Sequence, residues 1–192
     1  MLDNLRNFSI ILGSASPRRN ELLSGLGIDF KVQTIDVEET YPDSIPGISI
    51  PMYLAEKKAD AFADYLNESH LLITADTIVL LDNQVLGKPT DREDAKRMLK
   101  QLSGNNHQVI TGVCISTADR RKTFHTVSEV RFAELHDDEI EYYLDHFKPY
   151  DKAGSYGIQE WIGYIGVEQI TGSFYNVMGL PVQRLYCELK KW

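Results

Sequence analysis

The sequence has very few cysteines and no long apolar stretch. Its two cysteines, Cys114 and Cys187, lie far apart, each within an apolar run. This usage argues against a disulfide or a cysteine metal site and is typical of reduced core residues. No apolar run approaches the length of a membrane span. The first residues contain only a short apolar run with an acid near its start, which is not the pattern of a signal peptide. We therefore expect a cytoplasmic protein without a membrane partner.

Positive charge is also scarce, since 20 lysines and arginines face 28 acidic residues, for a formal net charge of −8. Proteins that bind the nucleic-acid backbone need clustered Lys and Arg, so a nucleic-acid partner is not expected. A small basic pocket for a phosphorylated ligand remains compatible with this charge. The sequence has no Walker A loop, no G-x-G-x-x-G loop, no zinc-ligand spacing and no Ser-His-Asp set. No histidine is assigned a catalytic role.

The 192 residues, with 43% hydrophobic and 25% charged side chains, are enough for one domain with a sizeable core. Short apolar runs alternate with helical patterns along the chain, which is typical of an α/β fold. Val109 to Ser116 and Lys122 to Ala133 read as an antiparallel hairpin, so a mixed sheet is predicted. Further strands are predicted over Ile28 to Ile35 and Tyr164 to Ile170, and a long helix is predicted from about Ile50 to Leu66.

Asp76 is the acid that most needs an explanation. It follows the apolar run Leu71 to Ile73 and precedes a second run, Ile78 to Leu81, which places it at the seam of two predicted buried strands. A charge at such a position is costly unless it has a partner or a function. One interpretation is a turn cap and the other is a functional carboxylate. The local sequence favours the turn cap.

An anion site is predicted where the first strand gives way to the first helix. Ser16 and Pro17 are typical of an N-cap and a first helical position. The loop from Ser14 therefore leads into a helix N-terminus, where backbone N–H groups favour an anion. Arg18 and Arg19 oppose the helix dipole there, which a bound phosphate would reward. The alternative is that both arginines are solvated.

Two further charged features accompany these. The segment Asp36 to Thr40 contains three acids, including Glu39, and such a loop is either solvated or able to bind a divalent cation. Lys58 lies on the apolar face of the predicted long helix. A lysine there either extends to solvent or contacts a phosphate or base in a cleft. The polar, glycine-rich segment Lys148 to Gln159 is typical of a recognition loop on a rigid scaffold.

Five separated motifs together resemble the Maf family of nucleoside triphosphate pyrophosphatases over the whole chain, in order and spacing. They are SASPRR at 14–19, TADT at 74–77, GKP at 87–89, DKAGSYGIQ at 151–159 and GSFYNVMGLP at 172–181. The loop with DKAG and YGIQ resembles the branch that acts on dTTP and UTP. Glu160 departs from that branch, which often has glycine there.

The resemblance implies a fold and a reaction. The expected fold is an α/β domain over residues 1–192, like inosine triphosphatase, with a mixed twisted sheet flanked by helices and two lobes around a central cleft. The expected reaction cleaves dTTP and UTP between the α and β phosphates, with a divalent cation, Mg²⁺ or Mn²⁺. The nucleoside triphosphate is the expected partner, and a homodimer is expected from the resemblance alone.

The resemblance also implies roles for particular residues. Asp76 is the proposed proton acceptor, and Glu39 and Asp76 are the expected metal ligands; whether Asp76 acts as base or as metal ligand stays open. Specificity positions are Arg18, Thr77 and Gln159. Other expected substrate contacts are Ser14, Arg19, Lys58, Lys88 and Lys152, although Lys88 before Pro89 also reads as a turn residue.

Two alternative functions follow from the same motifs. One is the same chemistry on 7-methyl-GTP or a modified nucleotide. The other is a nucleotide-binding regulator of septum formation without turnover. The acids Glu39 and Asp76 favour catalysis, and the loop ending in Gln159 favours a pyrimidine.

Overall fold

The computed structural model describes residues 2–192, in which strands and helices alternate. The strands are β1 (Ser9–Leu12), β2 (Lys31–Val32), β3 (His70–Leu81), β4 (Gln84–Leu86), β5 (Asn106–Ser116), β6 (Arg121–Phe132) and β7 (Val167–Thr171). The helices are α1 (Pro17–Ser24), α2 (Ile50–Asp60), α3 (Arg92–Leu102), α4 (Asp137–Phe147), α5 (Trp161–Gly166), α6 (Phe174–Met178) and α7 (Val182–Leu189). This composition confirms the α/β class.

The strands of residues 2–192 form a seven-stranded sheet in the order β2-β1-β3-β5-β6-β7, with β4 paired to β3. β1 is parallel to both β2 and β3, whereas β4 is antiparallel to β3 and β7 is antiparallel to β6. The sheet is therefore mixed, as predicted. None of the helices in this part of the chain combines the length and the apolar composition needed to cross a membrane.

The chain divides into two compact units, in line with the predicted lobes. The first unit comprises the chain up to Asp76, Thr111–Thr126 and Gly179–Trp192. Its core includes Leu72 of β3, Ala55 and Ala59 of α2, and Phe62, which follows that helix. α2 and β3 are also joined by a buried hydrogen bond, in which the Thr74 hydroxyl donates to the Ala55 carbonyl over 2.7 Å. These contacts fix one face of α2 against the part of β3 that belongs to the first unit, His70 to Asp76.

The second unit comprises Thr77–Ile110 and Val127–Met178. Its first strands form a hairpin whose two-residue turn has positive φ at Asp82 (47°) and Asn83 (68°), which is the geometry of a type I′ turn. α3 and α4 are joined by ion pairs from Arg92 to Glu141 (2.5 Å) and Asp145 (2.6 Å). The second unit is thus built from a tight hairpin and a charged helix pair.

Four predicted elements differ from the structure, and the first three concern the first unit and β3. β3 is one unbroken strand, so Asp76 lies in the middle of a strand and not at a seam between two. The predicted strand over Ile28 to Ile35 shortens to Lys31–Val32, the two residues that pair with β1 at the edge of the sheet. The long helix ends at Asp60, and a short 3₁₀ helix over Ala63–Tyr65 follows.

The predicted strand from Tyr164 to Ile170 is wrong in its first half, which belongs to α5. Ile162 and Gly166 are both buried and lie four residues apart, the spacing of one helical face. Gly163 allows the close packing of this helix, since a Cβ there would lie 1.8 Å from the Ile158 carbonyl oxygen. The strand begins only at Val167, where pairing with β6 starts.

Candidate active site

Asp76 shares one ammonium group with Glu39. The Nζ atom of Lys58 lies 2.6 Å from Oδ1 of Asp76 and 2.8 Å from Oε1 of Glu39. Asp76 comes from β3, Lys58 from α2 and Glu39 from the acidic loop before α2, all within the first unit. The turn-cap interpretation of Asp76 is wrong, because its neighbours on both sides continue the same strand.

These three residues form a carboxylate cluster, a name used below for Glu39, Lys58 and Asp76. The side chains of Asp76 and Lys58 are 10% and 15% exposed, whereas that of Glu39 is 38% exposed. The cluster combines two acidic side chains with one lysine. One side of the cluster is therefore buried and one side is open to a ligand.

Neighbouring contacts fix the geometry of the cluster. Lys57, the residue before Lys58, donates from Nζ to the Thr40 carbonyl (2.9 Å) and to the Thr40 hydroxyl (2.8 Å). Two consecutive lysines of α2 therefore hold the acidic loop that contains Glu39. On the strand side, Thr74 is bonded to Ala55, one turn of helix before Lys58. The cluster is thus anchored to secondary structure from both directions.

Arg19 of α1 is hydrogen-bonded to the loop before this helix and interacts electrostatically with Asp76 and Glu39. Ser16 caps α1 by accepting a hydrogen bond from the Arg19 amide over 3.4 Å. The Arg19 side chain donates from Nε to the Gly179 carbonyl (2.9 Å) and from Nη1 to the hydroxyl of Ser14 (3.4 Å), which is buried. Burial lowers the pKa of Arg19, and the negative charges of Asp76 and Glu39 counteract this shift. The guanidinium stays charged at neutral pH.

The donor set of the carboxylate cluster suits a hard divalent cation. Residues 2–192 contain no group of three or more His, Cys, Asp or Glu side chains placed to hold a metal. Mg²⁺ typically binds proteins through one or two carboxylates and completes its shell with water and substrate phosphates. The Lys58 ammonium already contacts both carboxylates, which shows that they converge on one positive charge. Glu39 and Asp76 therefore fit this kind of cation.

The second unit contains four further predicted residues, Thr77, Lys88, Lys152 and Gln159. Thr77 directly follows Asp76 in β3, and Lys88 is exposed after β4. Lys152 is only 8% exposed, and its Nζ atom lies 2.7 Å from Asp151 and 3.0 Å from Glu160. Lys152 is thus surrounded by carboxylates in the structure. Its predicted contact with the substrate stays a prediction.

Gln159 lines a cavity of about 430 Å³ in the second unit, together with the aromatic residues Tyr164 and Phe174. The Oε1 atom of Gln159 is buried and accepts no hydrogen bond from residues 2–192. A buried acceptor without a donor is costly, about 1–3 kcal/mol. Rotation of the amide toward the cavity would allow a ligand to supply the missing donor.

The segment Asp151 to Glu160, called the recognition loop below, is held by several buried contacts within the second unit. The Gly154 amide donates to the Gly87 carbonyl over 3.0 Å. The Tyr156 hydroxyl lies 2.7 Å from Nε2 of His107, and the two rings pack edge to face. Tyr156 is therefore a packing residue.

Most of the chain matches a known protein family. Residues 9–192 match the family described as "Maf-like protein". The chain belongs to the Maf family. Among curated relatives, the dTTP/UTP pyrophosphatase of Phocaeicola vulgatus is 59% identical over 192 residues, which cover 100% of both chains. The dTTP/UTP pyrophosphatase of Parabacteroides distasonis is 61% identical over 191 residues, which cover 99% of each chain.

One similar solved structure is that of the Staphylococcus aureus Ham1 protein. It is 18% identical, has a TM-score of 0.49, and the match covers 66% of this chain and 72% of that chain.

The structure brings together part of the predicted site. Within the first unit, Glu39, Lys58 and Asp76 are in contact, and Ser14 is bonded to Arg19. Arg18 lies in the first turn of α1 and is partly exposed. The remaining predicted residues, Thr77, Lys88, Lys152 and Gln159, belong to the second unit.

Sequence reasoning missed a tyrosine that supports the recognition loop. The hydroxyl of Tyr143 accepts a hydrogen bond from the Gly157 amide (3.0 Å) and donates one to Glu160. The helical pattern around Ile140 and Leu144 predicts that Tyr143 is buried. It does not predict which loop the hydroxyl meets. Glu160, noted as a departure from the family branch, was the available signal.

Proposed function

We propose that this Maf protein hydrolyses dTTP and UTP to the nucleoside monophosphate and pyrophosphate. The observation that most supports this reaction is the carboxylate cluster of Glu39, Lys58 and Asp76, fixed by α2 and β3. The substrate assignment is supported by relatives of 59% and 61% identity over essentially the whole chain, which are named dTTP/UTP pyrophosphatases.

In the proposed reaction, water attacks the α-phosphorus and the bond from this phosphorus to the α–β bridging oxygen breaks. The electron pair of that bond leaves with pyrophosphate. Asp76 is placed on a rigid strand with little exposed surface, so it can orient the attacking water and accept its proton. Phosphoryl transfer depends mainly on such positioning and on charge neutralisation.

Basic groups are the second requirement, since the triphosphate and the developing pyrophosphate are strongly anionic. Lys58 and Arg19 supply fixed positive charge in the first unit, and Ser14 lies at the loop that leads into α1, beside a helix N-terminus. Further proposed phosphate contacts, in the second unit and in the first turn of α1, are Arg18, Lys88 and Lys152.

A divalent cation, Mg²⁺ or Mn²⁺, would be held by Glu39 and Asp76. When bound, it supplies charge neutralisation at the phosphates and lowers the pKa of a coordinated water. Asp76 would be one of the two ligands of this cation, and it is also the proposed acceptor of the water proton.

For the base, we propose that Gln159 pairs with the imide edge that uracil and thymine share. An amide offers one acceptor and two donors, which matches the N–H and C=O of that edge. The buried and unpaired Oε1 atom of Gln159 supports this assignment, because the imide N–H would supply its donor. Thr77 is the further proposed specificity residue.

A substrate panel tests the function. The purified protein is incubated with Mg²⁺ and each of dTTP, UTP, CTP, GTP, ATP and 7-methyl-GTP, and pyrophosphate and orthophosphate are measured separately. We expect pyrophosphate from dTTP and UTP in preference to the other nucleotides. Release of orthophosphate would contradict the reaction type, and preference for a purine would favour the alternative substrate class.

The variant Asp76→Asn separates an enzyme from a nucleotide-binding regulator. The amide keeps an acceptor for Lys58 but cannot take the proton, so we expect a folded protein that binds dTTP and loses about 10² to 10⁴-fold in pyrophosphate release. Circular dichroism and calorimetric titration are the controls. Turnover equal to the wild-type rate would refute the mechanism.

A homodimer and a cytoplasmic location also stay predictions.

A further inference from the structure

We propose that Tyr143 and Glu160 are positioning residues that fix the recognition loop so that Gln159 selects a pyrimidine base. The inference deepens the proposed function and rests on it. Tyr143 lies on α4, outside every motif that connects this chain to its family, and Glu160 directly follows Gln159. Neither residue needs to touch the substrate for this role.

The Tyr143 hydroxyl both accepts and donates a hydrogen bond. It accepts a hydrogen bond from the Gly157 amide over 3.0 Å and donates one to Oε2 of Glu160. Gly157 and Glu160 are the two residues that flank Ile158 and Gln159 in sequence. The tyrosine therefore bridges the two ends of the short segment that presents the glutamine.

Glu160 is in turn fixed by an ion pair with a lysine. Its Oε1 atom lies 3.0 Å from Nζ of Lys152, at the beginning of the recognition loop. The backbone closes the same turn, since the Glu160 amide donates to the Gly157 carbonyl over 2.9 Å. Tyr143, Glu160 and Lys152 thus connect α4 with both ends of the recognition loop. We call these three residues the loop clamp.

Burial makes the loop clamp rigid. Tyr143 is completely buried, and the side chains of Lys152 and Glu160 are 9% and 19% exposed. Burial raises the pKa of the Tyr143 phenol, and its hydrogen bond to Glu160 raises it further, so the phenol stays a donor at neutral pH. Hydrogen bonds between a phenol and a carboxylate away from water are stronger than neutral pairs.

The side chains of Glu160 and Lys152 pack closely on Gly157. A Cβ at this position would lie 2.8 Å from Cδ of Glu160 and 3.0 Å from Cε of Lys152. The ion pair of the loop clamp therefore packs directly on the Gly157 backbone. On the far side of Gln159, Gly163 packs in the same way against the Ile158 carbonyl. Gln159 is consequently held between two close backbone contacts.

The consequence concerns the direction of the Gln159 amide. Two further contacts, from Gly154 to Gly87 and from Tyr156 to His107, hold the first half of the recognition loop. The loop clamp is what holds the second half, next to Gln159. Without the Tyr143 hydroxyl, the Gly157 amide loses this acceptor and Glu160 loses this donor, so the turn that presents Gln159 loses its hydrogen bonds to α4.

The test compares Tyr143→Phe with Tyr142→Phe. Tyr142 is the exposed neighbour on α4 and stacks on His146. The substitution Tyr142→Phe removes only the hydroxyl and keeps the aromatic ring. For Tyr143→Phe we expect KM for dTTP and UTP to rise roughly tenfold, as for loss of a buried hydrogen bond to a charged group. We expect kcat to change little and the preference over CTP to narrow. Tyr142→Phe should leave all three values unchanged.

Glu160→Gln is the second variant. It keeps an acceptor for Tyr143 but loses the charge that pairs with Lys152, so we expect a smaller rise in KM in the same direction. In the double variant the two effects should be less than additive, because both act on the same contact. Thermal unfolding of every variant is measured alongside, to give the fraction folded under assay conditions.

The outcomes separate the inference from a purely structural role and from the proposed function. An unchanged KM and an unchanged preference over CTP in Tyr143→Phe would overturn the inference. So would a loss of activity that merely follows the fraction folded, with KM and selectivity as in the wild type. Wild-type protein that releases no pyrophosphate from dTTP or UTP would contradict the proposed function itself, and the inference with it.

Discussion

Lys58 is in direct contact with both carboxylates of the cluster. Two carboxylates that converge without a cation would repel each other, and one of them would have to take up a proton or move away. Lys58 contacts both, at 2.6 and 2.8 Å, and its side chain is mostly buried. At the scale of the residue, the lysine therefore offsets the repulsion between Asp76 and Glu39 and holds the two side chains close together, which is the arrangement that metal binding needs.

The first prediction replaces this charge. We expect Lys58→Met to lower the free energy of unfolding by about 2 kcal/mol, because Asp76 keeps a mostly buried charge without its partner. We expect kcat/KM for dTTP to fall roughly 10²-fold through lost charge stabilisation. Urea unfolding and pyrophosphate release measure the two effects.

The matched control is Lys57→Met. Lys57 is the adjacent residue and also bonds the acidic loop, but its contacts to Thr40 are exposed. The free energy of unfolding should therefore change by less than about 1 kcal/mol. Equal effects of the two substitutions would show that lysine loss at the loop, and not the buried charge at Asp76, explains the result.

At the scale of the element, the start of α2 depends on a glycine in β5. An ideal Cβ at Gly112 would lie 2.3 Å from the Pro51 carbonyl carbon and 2.4 Å from the Met52 amide nitrogen. Both neighbours are backbone atoms, so neither can rotate away. The first turn of the helix that presents Lys58 therefore packs directly on the strand.

The second prediction concerns this contact. Gly112→Ala should lower the free energy of unfolding by about 2–3 kcal/mol through overpacking, as measured by urea unfolding. Gly87→Ala is the control, because a Cβ there meets no atom within 4 Å and the position has no positive φ. Wild-type stability of Gly112→Ala would contradict the packing assigned to α2.

Elements with strong local signals could be predicted from the sequence. The Ser16-Pro17 pair identifies the start of α1, and Asp82-Asn83 identifies the turn between β3 and β4, because these residues satisfy a cap or a positive φ locally. The elements that were predicted wrongly depend on contacts with residues distant in the sequence. The helix over Trp161–Gly166 and the shortness of β2 follow from packing and from pairing partners, which no short window of sequence contains.

The same division applies to the candidate site. The importance of Asp76 and Glu39 could be predicted from residue type and family motifs, but their shared contact with Lys58 required the structure. The role of Tyr143 was invisible in the sequence, since a tyrosine on a buried helical face is usually a packing residue. Motifs identify residues near the chemistry, whereas positioning residues are identified by contacts.

At the scale of the whole molecule, one buried histidine links stability to pH. His107 of β5 packs edge to face against the rings of Phe132 and Tyr156, and its Nε2 atom lies 2.7 Å from the Tyr156 hydroxyl. Burial lowers the pKa of His107 to about 4, from an ordinary value of 6.5. Burial also raises the pKa of Tyr156, so the phenol stays protonated throughout the acid range.

The last prediction follows from this shift. Above pH 6.5 neither the folded nor the unfolded state protonates His107. As the pH falls from 6.5 to 4, the unfolded state takes up a proton that the folded state does not. The free energy of unfolding should therefore decrease across that window, by about 3 kcal/mol, and this contribution should level off at lower pH. Urea unfolding at half-unit steps of pH measures the slope.

His107→Gln should flatten the slope, because an amide can still bond Tyr156 but does not titrate. His146→Gln, at an exposed histidine of α4, should leave it in place. An equally steep slope in His107→Gln would assign the acid sensitivity to other groups.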